Sequence, residues 1–515
     1  MNRLANLPLP DAGHPVQSWQ LAVPGARALA IAEAAAADNR PWVLVLPDAR
    51  ALDQLQQALG FFCSGLEILR LPDWEVLPYE AFSPLPDLVS DRLATLARLP
   101  RLSRGILLLT AEALLQRLPP TGYIEGRAFD LAAGQTFSMK EVSAQLARAG
   151  YQPVAQVGAP GEFAVRGSLF DVFPMGYAQP LRIDLFDEVI DSIRHFDPDT
   201  QRSLQKLERL RLLPAREVPL DDEACREFRR RYRQRFEGDP TRSVIYRGLR
   251  QNTAPAGIEF YLPLFFDHTS TLFDYLPPNP VFVTGPELAP RFGQLWQDLC
   301  ARHEERRHDI EHPVLDPAEL FIEPGEVLRQ IGLQAGVSIA AADGAGAPLH
   351  APPPLNLDTR TPEPLAPLAA FLSGYKGRVL LTADSPGRRE VLQDLLRAAG
   401  LASKPVAGWQ AFLASDAPLC LTVAPDATGL SLEHPALTLL ADGELFGRHA
   451  QQERRRRRSQ LDPAAILRDL QDLSAGAPVV HIEYGVGRYI GLQPMQVAGE
   501  DGEFLVIEYA GGDRI

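Results

Sequence analysis

Residues 161–204 read GEFAVRGSLFDVFPMGYAQPLRIDLFDEVIDSIRHFDPDTQRSL, and the strand Leu181-Arg182-Ile183-Asp184-Leu185-Phe186 inside them decides how the rest is read. Successive side chains of a strand point to opposite faces of a sheet. Leu181, Ile183 and Leu185 therefore share one face and should pack inward. Arg182, Asp184 and Phe186 share the other face, which should be wet. A large aromatic beside an arginine on a solvent face is the composition of a binding hot spot. The alternative is that Phe186 rolls into a neighbouring core. Residues 186–191 then read as a hairpin.

Working outward, 515 residues hold about three or four domains. With 46% hydrophobic and 23% charged residues, each can bury a core. The formal charge of -14 argues against a chain that coats DNA by general electrostatics, so nucleic-acid contact must be local. Lysine occurs only at positions 140, 206, 376 and 404, a skew that reads as genome composition rather than function. Cys63, Cys225, Cys300 and Cys420 have no paired spacing, which fits neither a zinc site nor a disulfide framework and implies thiols in a reducing compartment. The N-terminus lacks an apolar signal core, and the apolar tract 28–37 is interrupted by Glu33 and too short to span a bilayer. A soluble, cytoplasmic protein with no membrane partner is expected.

Residues 1–126 alternate strands and helices. Leu21-Ala22-Val23 reads as a first strand before an alanine-rich helix to residue 37. Residues 42–46 and 105–110 are continuous apolar runs, the pattern of buried parallel strands. A phosphate-binding loop would sit after the first strand. It needs glycines to wrap the phosphates and then Lys-Ser or Lys-Thr. Pro24-Gly25-Ala26-Arg27-Ala28 offers one glycine, no lysine and no hydroxyl, so the chain should not hydrolyse ATP.

Residues 127–213 form an α+β module that opens on Ser138-Met139-Lys140-Glu141, a helix N-cap with glutamate three residues on. Asp171, Asp184, Asp187, Glu188 and Asp191 are dense enough to tempt as a catalytic or metal site. They lack a histidine at ligand spacing, and turn chemistry accounts for them. No metal and no catalytic residue is expected. Residues 214–340 return to α/β, with an arginine-rich helix at 225–236. His303 and His308 are five apart, whereas a zinc-binding helix places its histidines four apart. Residues 341–367 are rich in proline, glycine and alanine and read as a linker. Residues 368–450 read as a small α/β domain without evident chemistry. The run Arg454 to Arg458 either meets phosphate or a protein partner or is a solvated face, and opens a connecting helix across 451–474. Residues 475–515 are strands with glycine turns. Gly485-Val486-Gly487 is no nucleotide fingerprint, because a strand follows it.

Three phrases carry a resemblance: GEFAVRGSLFDVFPMG with LRIDLFD and IDSIRHFDPDTQRS, then Pro255 to Phe266, then HIEYGVGRYIGL. They resemble the bacterial transcription-repair coupling factor (Mfd) family, whose first domains are shared with the excision-repair protein UvrB. The segment from Leu71 through Trp74 and Tyr79 to Asp91-Arg92-Leu93 resembles it too, with Trp74 and Tyr79 read as packing residues. The implied fold class is α/β multidomain: a UvrB-like, degenerate RecA-type α/β domain carrying an inserted α+β module, a small α/β domain, and the start of a C-terminal Tudor/SH3-like β-barrel. The resemblance implies that the inserted module binds UvrA through Arg166, Arg182 and Phe186. It implies that the last segment pairs edge-on with the RNA polymerase β subunit by strand addition. Residues 504–509 are the candidate edge, with Leu505, Phe504 and Arg488 as contacts. In the family, ATP and Mg serve a helicase-like motor that displaces stalled polymerase and makes most of the DNA contact. This chain lacks that motor, so no cofactor is expected here. A chain ending at Ile515 reads as truncated, because an open barrel leaves an unpaired edge. Two rival readings remain, a UvrB-like damaged-DNA-binding helicase and an ATP-independent scaffold complete at this length.

Overall fold

The computed structural model describes residues 4–446 except 64, 199, 252–253, 341–348, 356, 358–360, 362 and 426, and then 478–481, 485–497 and 500–509. The chain divides into two compact units, Met1–His449 and Ala450–Ile515.

The first unit is built on a six-stranded, wholly parallel sheet. Its strand order is Val16–Gln20, Ala335–Ala340, Val281–Thr284, Pro41–Leu46, Gly105–Thr110, Ile68–Leu71. Every residue of Gly105–Thr110 is buried, because helices cover both faces of a parallel sheet. The first strand lies upstream of Leu21-Ala22-Val23. Val16–Gln20 alternates in exposure as an edge strand does, and Leu21 is buried where its N–H reaches Ala340 O at 2.9 Å.

The alanine-rich helix is Pro24–Ala37, and nine of its residues are buried. A helix apolar all round must be covered all round. A second six-stranded sheet supplies the cover, in the order Leu349–His350, Leu430–Leu432, Leu437–Ala441, Arg378–Ala383, Leu419–Val423, Lys404–Pro405. One core joins Ala26, Leu29 and Ala30 to Leu44 and Leu108 of the first sheet and to Leu430, Leu437 and Leu439 of the second. Phe62, which closes helix Ala49–Phe62, meets Trp409 edge-on at 5.1 Å between ring centroids. Within residues 341–367, Leu349–His350 is a strand antiparallel to Leu430–Leu432, and Leu357 N–H bonds Leu445 O at 2.7 Å. Proline-rich chain is tolerated there because an edge strand has only one ladder to satisfy.

On the opposite face of the first sheet, a larger core runs from Leu107 and Leu109 through helices Pro86–Arg98 and Leu288–Arg306 into an inserted module. The module enters and leaves through Phe129–Ala132 and Arg209–Leu212, which pair antiparallel. Its own sheet runs Ser203–Leu207, Val189–Phe196, Leu181–Phe186, Leu169–Val172, Glu162–Arg166, Gln152–Pro153, antiparallel except for the last pair. It rests on helix Pro86–Arg98 at Gly176. The φ there is 85°, and a Cβ would stand 2.8 Å from that of Ala94, so only glycine fits. The Gly176 N–H donates to Ser90 Oγ at 2.7 Å. Nearby, Arg92 Nε donates to Glu217 Oε1 at 2.5 Å, with both side chains fully buried. Trp74 and Tyr79 are buried as packing residues.

The second unit shows three antiparallel strands, Pro478–His481, Gly485–Val497 and Glu500–Glu508. Among the described residues, Glu500–Glu508 is one edge of that sheet. The arginine run 454–458 and the connecting helix expected at 451–474 lie outside the described residues.

Candidate protein-docking face

The register of the module's strands builds its outward face row by row. Ala164, Asp171, Arg182, Arg194 and Lys206 are successive cross-strand partners, so they form one row across five strands. The next row is Arg166, Leu169, Asp184 and Ser192, and beyond it Phe186 faces Val189 at the hairpin. The inward phase carries Phe170, Leu181, Ile183, Leu185 and Ile193, all buried. Leu181, Ile183 and Leu185 thus pack inward as their alternation predicts.

The outward side is less uniform than alternation implies. Phe186 is 75% exposed, and Val189 beside it is 41% exposed. The Arg182 side chain is only 14% exposed. Asp171 is the reason. Arg182 Nε donates to Asp171 Oδ1 at 2.7 Å and Nη2 donates to Oδ2 at 2.9 Å, a two-pronged pairing. The guanidinium lies 4.6 Å from the ring centroid of Phe196, and Gln201 Oε1 accepts from Arg182 Nη2 at 3.1 Å. The Asp171 carboxylate raises Arg182 further above an already high pKa, so its charge is permanent.

Arg166 reaches the same carboxylate. Its Nη2 donates to Asp171 Oδ2 at 2.6 Å, and the side chain stays 43% exposed. Asp184 accepts from Ser192 Oγ at 2.8 Å and stands 3.8 Å from Arg194 Nε. The acidic residues Asp171 and Asp184 therefore organise arginines. The hairpin that presents Phe186 turns through Asp187, whose φ of 54° is left-handed, a conformation aspartate tolerates better than most. The result is one sheet face with an exposed aromatic–aliphatic pair at its hairpin end and, one and two rows away, guanidinium groups oriented by Asp171.

Arg166, Arg182 and Phe186 are thus brought to one face of one sheet. Gln201 and Val189 are the members that sequence reasoning missed, and Asp171, ascribed there to a turn, lies instead within strand Leu169–Val172. Asp171 had a readable signal, since it falls at the outward phase between inward-facing Phe170 and Val172. Gln201 had none, because its place depends on a left-handed φ of 58° after residues 197–200. In the second unit Arg488 is exposed and opposite Glu508. The backbones of Phe504 and Leu505 pair with Gln493 and Leu492, and their side chains lie outside the described residues. Burial pushes the thiols of Cys63 and Cys225 up to about 11, which keeps them protonated and unreactive. Among the described residues, no helix is long and apolar enough to cross a membrane.

Three family profiles match the chain: "UvrB interaction domain" over residues 129–218, "MFD, D3 domain" over 371–445 and "CarD-like/TRCF RID domain" over 473–515. The transcription-repair-coupling factor of Haemophilus influenzae is 36% identical over 503 residues, covering 96% of this chain and 44% of its own length. That of Escherichia coli is 35% identical over 492 residues, with 94% and 43% covered, and that of Myxococcus xanthus is 31% identical over 533 residues, with 95% and 44% covered. The chain spans less than half the length of these relatives. The first profile covers the module whose outward face carries Arg166, Arg182 and Phe186, and along nearly all of its sequence the chain is similar to part of the transcription-repair-coupling factors.

Proposed function

We propose that this chain is the partner-binding part of transcription-coupled nucleotide-excision repair. It joins an RNA polymerase stalled at a DNA lesion to the damage-recognition protein UvrA. The observation that carries this reading is the convergence of Arg166 and Arg182 on Asp171, on the same sheet face that presents the exposed ring of Phe186. Ordered guanidinium groups and an exposed aromatic on one face are the residue types that dominate docking energetics. In this reading UvrA meets the face through Phe186 and Val189 as apolar anchors, with Arg166 and Arg182 on its carboxylates.

Residues 473–515 supply the polymerase contact, by strand addition of the Glu500–Glu508 edge to the β subunit in a Tudor/SH3-like barrel. Leu505, Phe504 and Arg488 are the side chains assigned to it. ATP-driven release of polymerase, with ATP, Mg and most of the DNA contact, belongs to a helicase-like motor that these residues do not provide. Work on the nucleoid in the cytoplasm follows from that role.

Isothermal titration of UvrA into the chain tests the reading. Wild type should bind, and Phe186→Ala should lose at least about 2 kcal/mol, the threshold of a hot spot. Unchanged affinity in a folded Phe186→Ala variant overturns the assignment. For the second contact, Leu505→Asp should abolish co-elution with the polymerase β subunit while leaving UvrA binding intact.

A further inference from the structure

The first turn of helix Pro24–Ala37 is where this kind of α/β domain would hold a phosphate, on free N–H groups at the positive end of the helix dipole. We propose that the loop instead has a ligand within the chain, the backbone turn Thr428–Gly429 of the small α/β domain. Gly25 is buried, and a Cβ there would overlap the Thr428 carbonyl oxygen and stand 3.0 Å from that of Gly429. Two carbonyl oxygens thus lie against the Gly25 Cα at the helix's N-terminal end. They bring partial negative charge where a phosphate would bring full charge.

The turn is held from behind. Glu444 accepts the Gly429 N–H at 2.8 Å and the Ala441 N–H at 3.2 Å. A Cβ on Gly429 would overlap the Glu444 carboxylate and come within 2.7 Å of Pro352 Cγ. The approach is therefore glycine to glycine, closed on both sides. Ala26 and Leu430, the residues that follow each glycine, lie in one apolar core. Arg27, at the position nearest a phosphate-loop lysine, is spent on the backbone, with Nε donating to Leu21 O at 2.7 Å. A phosphate cannot enter while the turn is seated. The loop has become a clamp that fixes the 349–445 domain to the first α/β domain with no nucleotide involved.

The sign of one substitution tests this. In the open first turn of a helix, glycine to alanine stabilises by helix propensity and by restricting the unfolded chain. Gly25→Ala should instead lower the melting temperature and speed amide hydrogen exchange at 428–432 and 409–413. Gly60→Ala, in helix Ala49–Phe62 with nothing within 4 Å of the added methyl, should raise it. A higher melting temperature for Gly25→Ala with exchange at 428–432 unchanged overturns the proposal. On the wild-type chain, millimolar Mg-ATP should leave exchange at 24–30 and 428–432 unaltered, and protection appearing there would overturn it equally. Neither readout involves the docking face, so the clamp stands or falls apart from UvrA binding.

Discussion

Arg166 and Arg182, sixteen positions apart, donate to the same oxygen, Oδ2 of Asp171, at 2.6 and 2.9 Å. Asp171 is 1% exposed, so one buried carboxylate orients two guanidinium groups, one half-exposed and one largely buried. Asp171→Asn removes the charge and keeps the shape. It should cost about 3 kcal/mol of stability, because it takes from the largely buried Arg182 the carboxylate bonded to it. It should also weaken UvrA binding at least about tenfold, although Asp171 itself is out of a partner's reach. Urea titration and calorimetry together check both, and a variant with native stability and native affinity would remove Asp171 from the site.

Phe186 and Arg182 should separate binding from folding. Phe186→Ala deletes an exposed ring and should leave stability within about 0.5 kcal/mol. Arg182→Ala empties a half-closed position between Asp171, Gln201 and Phe196 and should lower both stability and affinity. If Phe186→Ala unfolded the module, the ring would be a packing residue and the docking face would lose its anchor.

Arg92 and Glu217 tie the chain leaving the module to helix Pro86–Arg98, and Trp74 Nε1 also donates to Glu217 at 3.4 Å. Glu217→Ala should cost about 3–5 kcal/mol, since a fully buried guanidinium loses its counter-ion. The double variant Arg92→Met with Glu217→Met should be more stable than Glu217→Ala, because an apolar replacement leaves no buried charge. Chemical denaturation of both variants decides it, and a double variant weaker than the single would contradict this account.

A pH-dependent cost resides at Glu112. Its carboxyl faces a cleft of about 410 Å³ lined by Leu77, Leu115, Arg291, Arg302 and Phe321. Burial, with Asp73 nearby, raises its pKa from 4.5 to about 7, against the opposing pull of Arg291 and Arg302. Between those values the folded chain keeps a proton that the unfolded chain gives up. This group therefore makes stability fall as pH rises from 4.5 through 7. Glu112→Gln should match wild type near pH 4.5 and exceed it at pH 8 by up to about 3 kcal/mol. A stability difference equal at the two pH values would refute the burial.

Much of the face was legible in six residues. Period-two alternation placed Leu181, Ile183 and Leu185 inward, and it exposed Phe186, because those are consequences of the strand alone. The burial of Arg182 was not legible. It depends on which residue of Leu169–Val172 stands opposite, a cross-strand register that no single segment encodes. The same limit hid the role of residues 368–450. Their apolar strands were readable as strands, but their partner is helix Pro24–Ala37, more than three hundred positions away. The hint lay in that helix, whose alanines on every side demand cover on every side. The strand Leu349–His350 escaped notice because two residues amid prolines and glycines have no periodicity to read.

The stem of the inserted module has a mechanical consequence. Phe129–Ala132 and Arg209–Leu212 run side by side in opposite chain directions, with Phe129 level with Leu212 and Ala132 level with Arg209. Both strands therefore meet the module at the same end and the rest of the protein at the other. A partner tugging on the docking face loads the two strands together, in parallel with the module's seat on helix Pro86–Arg98. The hydrogen bonds between them are neither sheared nor peeled apart. The module is moored by a doubled cord and braced on that helix.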